Sequence, residues 1–279
     1  MAENMRGKKV VVTGGTSGIG RATVLALAEM SADVIFSGRN AAAAADVIAA
    51  ARAKNSGANI EFLPVDFASL TSVSDFANAL KAKAGKIDVL INNAGASPAK
   101  FERSADGIEM TLAVNHLAPF LLTHLLLPAI ADGGRIVNVA SKMHSWRSFN
   151  FADPQLTKKW SGTTAYSQSK LANVMFSYQL AEKLATRKIT VNCLHPGVIA
   201  TEITRDMPSV VQFIARLIFK SPEKGAETSV YLATSPEVDS VTGKYFDNKK
   251  PVASSRESHD SAKQQLLWKL TEELLKGFL

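Results

Sequence analysis

The sequence predicts an α/β fold: one parallel, doubly wound sheet with helices on both faces. Two observations predict it. Short β-branched apolar runs alternate with helix-favouring segments along the chain, and strands alternating with helices close as right-handed βαβ crossovers. A glycine-rich turn stands directly after the first apolar run, the place where such sheets receive anionic ligands. That first run is Lys8 to Thr13, KKVVVT, followed by helix-favouring sequence from Ile19 to about Met30 and the run Val34-Ile35-Phe36. Ala41 to Lys54 is alanine-rich and favours a helix. Ile60 to Val65 and Ile87 to Ile91 read as strands with helix-like sequence between them, and Arg135 to Val139 and Ile189 to Leu194 repeat the pattern. The apolar stretch Leu117 to Ala131 is broken by Pro119, His124 and Pro128. It reads as a buried helix rather than a membrane span, which needs about 20 residues.

Composition narrows the class. Hydrophobic residues make up 46% and charged residues 20% of the 279, enough apolar material to bury a core without disulfides or metal. The one cysteine, Cys193, cannot form an internal bridge, so nothing points to an oxidising compartment. A net charge of +7 is spread in short runs such as Lys8-Lys9, Lys158-Lys159 and Lys249-Lys250, not gathered into the basic stripe of a nucleic-acid binder. Met1 to Lys9 is polar, without the apolar stretch of a signal peptide, and a cytoplasmic location is expected. Neither a linker nor an internal repeat divides the chain, so one domain over residues 1–279 is expected.

The turn Thr13-Gly14-Gly15-Thr16-Ser17-Gly18-Ile19-Gly20 has the spacing G-x-x-x-G-x-G rather than G-x-G-x-x-G. Its glycines let the backbone reverse tightly and approach a pyrophosphate at the positive end of the next helix. This predicts a dinucleotide-binding, Rossmann-type domain. The second strand ends Ser37-Gly38-Arg39-Asn40. NAD sites usually place an acidic residue there for the ribose; here Gly38 leaves room and Arg39 offers a planar, permanently charged fork that suits a phosphate. NADP(H) is expected in preference to NAD(H).

Tyr166-Ser167-Gln168-Ser169-Lys170 lies in helix-favouring sequence, and a four-residue spacing puts the phenol and the ammonium on one helical face. A phenol titrates near pH ~10, and a neighbouring cation favours phenolate and pulls that value toward neutrality.

These motifs belong together. Thr13 to Gly20, Asn92-Asn93-Ala94-Gly95, Asn115, Ser141, Tyr166 with Lys170, and Pro196-Gly197 occur in the order and spacing of the short-chain dehydrogenase/reductase superfamily, which the chain resembles from about Lys8 to Phe246. Ala105-Asp106-Gly107-Ile108-Glu109, Val114-Asn115-His116-Leu117, Ser169-Lys170-Leu171-Ala172-Asn173 and Leu194-His195-Pro196-Gly197-Val198 resemble its retinol dehydrogenase-like branch, as do Ser235-Pro236-Glu237 and Thr242-Gly243-Lys244-Tyr245-Phe246. The resemblance implies a catalytic set of Asn115, Ser141, Tyr166 and Lys170. Tyr166 would exchange the proton with the substrate oxygen, and Lys170 would lower the tyrosine pKa and bond the nicotinamide ribose. Ser141 would donate to the substrate oxygen, and Asn115 would hold a water that relays protons from Lys170. Cofactor contacts are implied for Gly14, Thr16, Ser17, Gly18, Ile19 and Gly20, for Arg39, for Asp66 and Phe67 near the adenine, and for Asn93, Ala94 and Gly95. Pro196, Gly197, Val198 and Thr201 would hold the carboxamide.

Two positions depart from the branch. Ala140-Ser141 stands where Ser-Ser is common, and Ala118-Pro119 where Gly-His is common, which touches the helix at Asn115.

Other constellations are weaker. His116, His144 and His195 have no ligand spacing with carboxylates or cysteine and read as structural or pocket histidines. No G-x-S-x-G elbow surrounds a serine, which argues against a hydrolase. An insert at about 142–163 carries Trp146, Phe149, Phe151 and Trp160 and is expected on the substrate side. A lid is expected at about 202–222, rich in residues such as Val210, Phe213 and Leu217, and a helix at about 262–277 with Leu266, Leu267, Leu270, Leu274 and Leu275. Docking of that helix onto the domain is the default, with peripheral membrane contact the alternative; a homo-oligomer stays open. The expected protein is an NADPH-dependent oxidoreductase acting on a lipophilic aldehyde, ketone or alcohol, of retinoid-like or steroid-like kind. The rival from another class is a cofactor-binding regulatory or scaffold protein, whose mark would be a broken catalytic set.

Overall fold

Strands of a parallel sheet buried on both faces must be apolar on both faces, and the runs identified in the sequence meet that demand. The computed structural model describes residues 4–197 and 221–279. Its eight strands are β1 (Lys9–Val12), β2 (Asp33–Gly38), β3 (Ile60–Pro64), β4 (Ile87–Asn92), β5 (Ile130–Val139), β6 (Thr190–His195), β7 (Lys244–Asp247) and β8 (Lys250–Val252). They form one sheet in the order β3-β2-β1-β4-β5-β6-β7-β8, parallel throughout except for the antiparallel β7–β8 pair. This is a doubly wound, Rossmann-type sheet. The order reverses between β1 and β4, so the crevice for a ligand opens at the carboxyl ends of these two strands.

Strand alternation sorts the core into two layers. Val10 and Val12 of β1, with Val89 and Ile91 of β4, pack on one face with Val24, Leu27 and Val47. Val11, Leu90 and Ile136 face the other side and pack with Phe76, Phe120, Leu121, Leu171 and Met175. The first layer belongs to α1 (Gly18–Glu29), α2 (Ala41–Lys54) and α7 (Pro222–Thr234). The second belongs to α3 (Leu70–Ala84), α5 (Ala118–Leu126), α6 (Gly162–Lys183) and α8 (Ser261–Leu274). Short polar residues cap most of these helices at their first turn: Asn40, Ser69, Ser161, Ser221 and Asp260 each accept a backbone N–H.

The apolar stretch in mid-chain is longer and more helical than its prolines predict. It runs as α4 (Met110–Leu112), a π-turn (Ala113–Leu117), α5 and a 3₁₀ turn (Leu127–Ala129). Pro119 falls in the first turn of α5 and Pro128 in the first turn of the 3₁₀ segment, positions where proline fits. Among the described residues Met110–Ala129 is the one helical run long and apolar enough to cross a membrane, and 72% of its most apolar window is buried inside the fold. β5 begins at Ile130, before the predicted Arg135, because a register shift at Ile87/Val89 lets the polar segment Ala131 to Gly134 join the strand. β7 and β8 carry too little apolar sequence to stand out, and only pairing with β6 defines them.

The C-terminal helix α8 docks on the domain. Leu267 and Leu275 are buried, Trp268 meets Phe120 at 4.8 Å between ring centroids, and Leu266 stays exposed. Thr271 donates its hydroxyl to the Leu267 carbonyl, at 2.8 Å, and so accepts from His116 Nε2 at 2.8 Å. Nδ1 of His116 has no partner among the described residues, and burial pushes the imidazole down to about 4 against a smaller opposing pull from Asn173. Between pH 4 and 6.5 the unfolded histidine therefore binds a proton that the folded one refuses. His116 contributes stability that is present above pH ~6.5 and is lost as pH falls toward 4, roughly 2–3 kcal/mol by pH ~4.5. Urea unfolding of the wild type at pH 7 and pH 4.5 should show this loss, and His116→Gln, which cannot titrate, should show a correspondingly smaller pH dependence.

Candidate active site

The glycine turn is held in place by side chains from the neighbouring strand. Thr13 Oγ1 accepts the backbone N–H groups of Asn93 (2.9 Å) and Ala94 (3.0 Å) and donates to the Ile91 carbonyl (3.3 Å). In return Asn93 Nδ2 donates to the carbonyls of Thr13 (2.8 Å) and Gly14 (3.2 Å). The ends of β1 and β4 are thus latched together beneath the crevice. The latch demands glycine: a Cβ on Gly20 would lie 2.1 Å from the Gly14 carbonyl oxygen, and Gly14 sits at φ +66° with Ala94 Cα 3.0 Å from where its Cβ would be.

The cradle so formed fits a pyrophosphate. Ser17 caps α1 with extended backbone but its side chain makes no capping hydrogen bond, so the first N–H groups of α1 receive no side-chain acceptor. Gly38 lies under Thr16, whose Cγ2 would be 2.7 Å from a Cβ there, and this close approach brings the turn beside the end of β2. Arg39 follows, exposed, and Asn40 caps α2. Asp66 is exposed after β3 and its Oδ1 accepts the Ala68 N–H at 3.0 Å. Phe67 turns its ring into the core, 6.4 Å from Phe76, so only its backbone is left to meet a ligand. Pro196 and Gly197 follow β6, with Gly197 at φ +97°. Val198, Thr201 and the expected lid up to residue 220 lie outside the described residues.

The second half of the site lies on α6 and the ends of β4 and β5. Lys170 is buried, its Nζ donating to the Val139 carbonyl at 2.9 Å and lying 5.5 Å from the centroid of the Tyr166 ring. Burial pushes its ammonium down to about 8. Gly95 provides the space: a Cβ there would stand 3.3 Å from Asn115 Oδ1 and 3.7 Å from Lys170 Nζ. Asn115, in the π-turn, accepts the Ala96 N–H through Oδ1 (2.6 Å) and donates through Nδ2 to the Ala96 carbonyl (3.0 Å) and Ser169 Oγ (3.0 Å). Pro119 has no N–H to offer the Asn115 carbonyl four residues earlier, so the departure from the branch pattern takes away one helical partner of that carbonyl. Ala140 is buried with Val174, Cys193 and Tyr245, where a serine hydroxyl would meet apolar neighbours.

Ser141, two residues beyond the end of β5, caps the 3₁₀ turn Lys142–Ser145, its Oγ accepting the Met143 N–H at 3.2 Å. Two of the histidines set aside as structural hold this turn. His195 Nδ1 accepts the Lys142 N–H at 3.3 Å, and His144 Nδ1 donates to the Ser141 carbonyl at 2.7 Å. The insert is built, not loose: Asp153 accepts the N–H groups of Thr157 and Lys158, and Gln168 of α6 donates to the Pro154 carbonyl at 2.7 Å. Its aromatics divide. Phe149 joins the core with Phe151 beside it, Trp160 donates to buried Glu109 at 3.1 Å and meets Phe101 edge-on, and Trp146 is 58% exposed.

Thr13 and His144 are the contributors that sequence reasoning missed. Thr13 opens the glycine turn in the sequence with no sign of its bonds to Asn93 and Ala94, and His144 lies far along the chain from the Ser255 amide that it also meets at 2.9 Å.

The glycine cradle follows β1 at the sheet's switch point, and Tyr166 with Lys170, Asn115 and Ser141 stand on α6, the π-turn and the loop after β5; together they mark a dinucleotide-dependent oxidoreductase fold. Comparison with known proteins agrees. Residues 8–211 match the short chain dehydrogenase family, and the chain belongs to that family. It is 36% identical to mouse (Mus musculus) retinol dehydrogenase 14, over 97% of this chain and 86% of that protein. It is also 36% identical to human polyprenol dehydrogenase, over 95% and 84%. Among solved structures it resembles a blue fluorescent protein from a metagenomic library in complex with NADPH, with TM-score 0.70, 30% identity and coverage of 88% and 97%. The chain is an oxidoreductase of the retinol dehydrogenase-like branch, using a nicotinamide cofactor on alcohol or carbonyl groups.

Removing the Asn115 side chain strands the Ala96 N–H and the Ala96 carbonyl in a partly buried setting. Asn115→Ala should lower unfolding free energy by about 2–4 kcal/mol, measured by urea denaturation, with faster hydrogen exchange at the Ala96 amide.

Proposed function

We propose that the protein is an NADP(H)-preferring dehydrogenase/reductase that interconverts a lipophilic alcohol and its aldehyde or ketone. The observation that carries this is the buried Lys170, its ammonium on the Val139 carbonyl and 5.5 Å from the centroid of the Tyr166 ring, with Asn115 bonded to Ser169 next to it in the chain.

The nicotinamide, when bound, supplies or accepts the hydride. The residues of the chain do the rest. Gly14, Thr16, Ser17, Gly18, Ile19 and Gly20 cradle the pyrophosphate against the α1 N-terminus, and Asn93, Ala94 and Gly95 line the crevice above the Thr13 latch. Asp66 and the Phe67 backbone border the adenine side, and Pro196 and Gly197, with Val198 and Thr201, the carboxamide side. Tyr166 donates its phenolic proton to the substrate oxygen in reduction and takes it back in oxidation. Lys170, a cation lying near the phenol, favours the phenolate and lowers the cost of that exchange. Ser141 Oγ accepts from the Met143 N–H, which leaves its own hydrogen free to be donated to the substrate oxygen as charge builds there. Asn115 holds the relay water that returns the proton to Lys170 from solvent.

The preference for NADP(H) rests on Gly38-Arg39-Asn40. No carboxylate stands at the end of β2 to bond a ribose, and an exposed guanidinium does. The substrate class rests on the relatives, whose names give retinol and polyprenol, both isoprenoid alcohols. The exposed Trp146 and the Phe101–Trp160 pair support an apolar occupant.

Two measurements test this. With retinal or a long-chain aldehyde, Tyr166→Phe should lower kcat about 10²–10⁴-fold while NADPH still binds; unchanged turnover rejects the mechanism. Arg39→Ala should cut kcat/KM for NADPH about 10–100-fold, the worth of one to two charge-assisted bonds, and leave NADH nearly unaffected. Equal efficiency of the wild type with both cofactors rejects the preference.

A further inference from the structure

His144 is held at both ring nitrogens. A carbonyl can only accept, so the 2.7 Å contact with the Ser141 oxygen requires a proton on Nδ1; a backbone amide can only donate, so the 2.9 Å contact with the Ser255 N–H requires a lone pair on Nε2. The imidazole is the neutral Nδ1–H tautomer, buried, with its ring 4.7 Å from that of Tyr245. One bond goes to the serine of the candidate site and the other to a segment more than a hundred residues away.

That segment is itself tied to the helix bearing the other catalytic groups. Ser254 Oγ lies 2.7 Å from the hydroxyl of Tyr178, on α6, and 2.7 Å from Ser258 Oγ and 3.0 Å from His259 Nε2. The His259 ring stacks on Tyr178 at 5.1 Å. Gln264 of α8 donates to the Ser258 carbonyl at 2.7 Å, closing the segment against the C-terminal helix. The chain from Ser254 to His259 therefore touches both moving parts of the chemistry: the Ser141 turn through His144, and the Tyr166/Lys170 helix through Tyr178.

We propose that His144 is a positioning residue, holding the Ser141 turn through its Nδ1–H and anchored by the Ser255 amide, so that the Ser254–His259 segment sets the serine's place relative to α6. The proposal rests on the oxidoreductase reading, in which Ser141 and Tyr166 must reach the same substrate oxygen. A misplacement of about 1 Å at such a group costs on the order of 10²-fold in rate. Burial also lowers the imidazole's pKa, against the opposing Ser141 carbonyl bond, which favours the neutral form that the clamp needs.

One substitution breaks the anchoring contact of the clamp. Ser255 already has φ −59° and ψ 148°, which proline adopts, and its own hydroxyl has no partner among the described residues. Ser255→Pro deletes the N–H given to His144 and puts the ring Cδ in its place, inside contact distance of Nε2, so the imidazole loses its anchor and must move away. Expected are exchange of the Met143 and His144 amides faster by tenfold or more (~1.4 kcal/mol of local opening), and kcat lower by about tenfold with NADPH Kd within about twofold. His144→Ala, losing both bonds, should cost about 10²-fold in kcat, and adding Ser255→Pro to it, where the truncated side chain leaves room for the proline ring, should cost nothing further, because the two residues act through one contact. Unchanged amide exchange in Ser255→Pro overturns the clamp, with or without turnover; faster exchange with wild-type kcat overturns the positioning role, as does an additive double variant. Should His144→Ala fail to fold, Ser255→Pro decides alone. Turnover that survives Tyr166→Phe marks failure of the oxidoreductase reading instead, whereas loss in Tyr166→Phe with wild-type behaviour in Ser255→Pro marks failure of this proposal only.

Discussion

The burial of α6 sets terms for much of the molecule. A helix enclosed on nearly every side is normally apolar all round, yet this one carries Ser167, Gln168, Ser169, Lys170, Asn173, Ser177 and Gln179 into the interior. Each buried polar group needs a partner or costs free energy of about 1–3 kcal/mol. Most of those partners come from elements that form the site. Val139 at the end of β5 takes the Lys170 ammonium, Asn115 of the π-turn takes Ser169, and the Pro154 carbonyl of the insert takes Gln168. Ser167 Oγ and Asn173 Oδ1 remain without a partner among the described residues.

A polar line through the sheet extends the same demand. Asn92 of β4 donates to Thr123 of α5 and to Asn138 of β5, and Asn138 donates to Ser177 of α6. The sheet and the α5/α6 layer are thereby keyed in register below the carboxyl ends of β4 and β5. Such a fully buried chain of donors and acceptors is specific because a shift by one residue would leave several of them unpaired at once. The nucleotide end uses the same device between β1 and β4, where Thr13 and Asn93 exchange bonds.

Some of this was legible in the residues themselves. The β-branched runs and the helix-favouring segments between them placed most strands and several helices, because residue type and period are local. The glycines at 14 and 20 announced a close approach, and the Tyr166/Lys170 spacing announced a shared helical face. The mid-chain helix was harder, since Pro119 and Pro128 look like interruptions until their first-turn positions are known. β7 and β8 were invisible for a different reason: short edge strands owe their existence to pairing, not to sequence pattern. Phe67 is a further case: its ring belongs to the core, a placement that its position beside the expected cofactor contacts does not reveal.

By itself the sequence determined the fold class and the family and named the candidate groups for the chemistry, because each depends on residue type and near-neighbour spacing. The tertiary structure alone decided what those groups touch. It put the Lys170 ammonium on the Val139 carbonyl and lowered it toward 8 by desolvation, and it turned Thr13 from a strand end into a latch. It also joined His144 to Ser255 across the chain. Hydrogen bonds between residues far apart in the chain leave no periodic trace, and burial is a property of the packed whole, so neither can be read until the layers close.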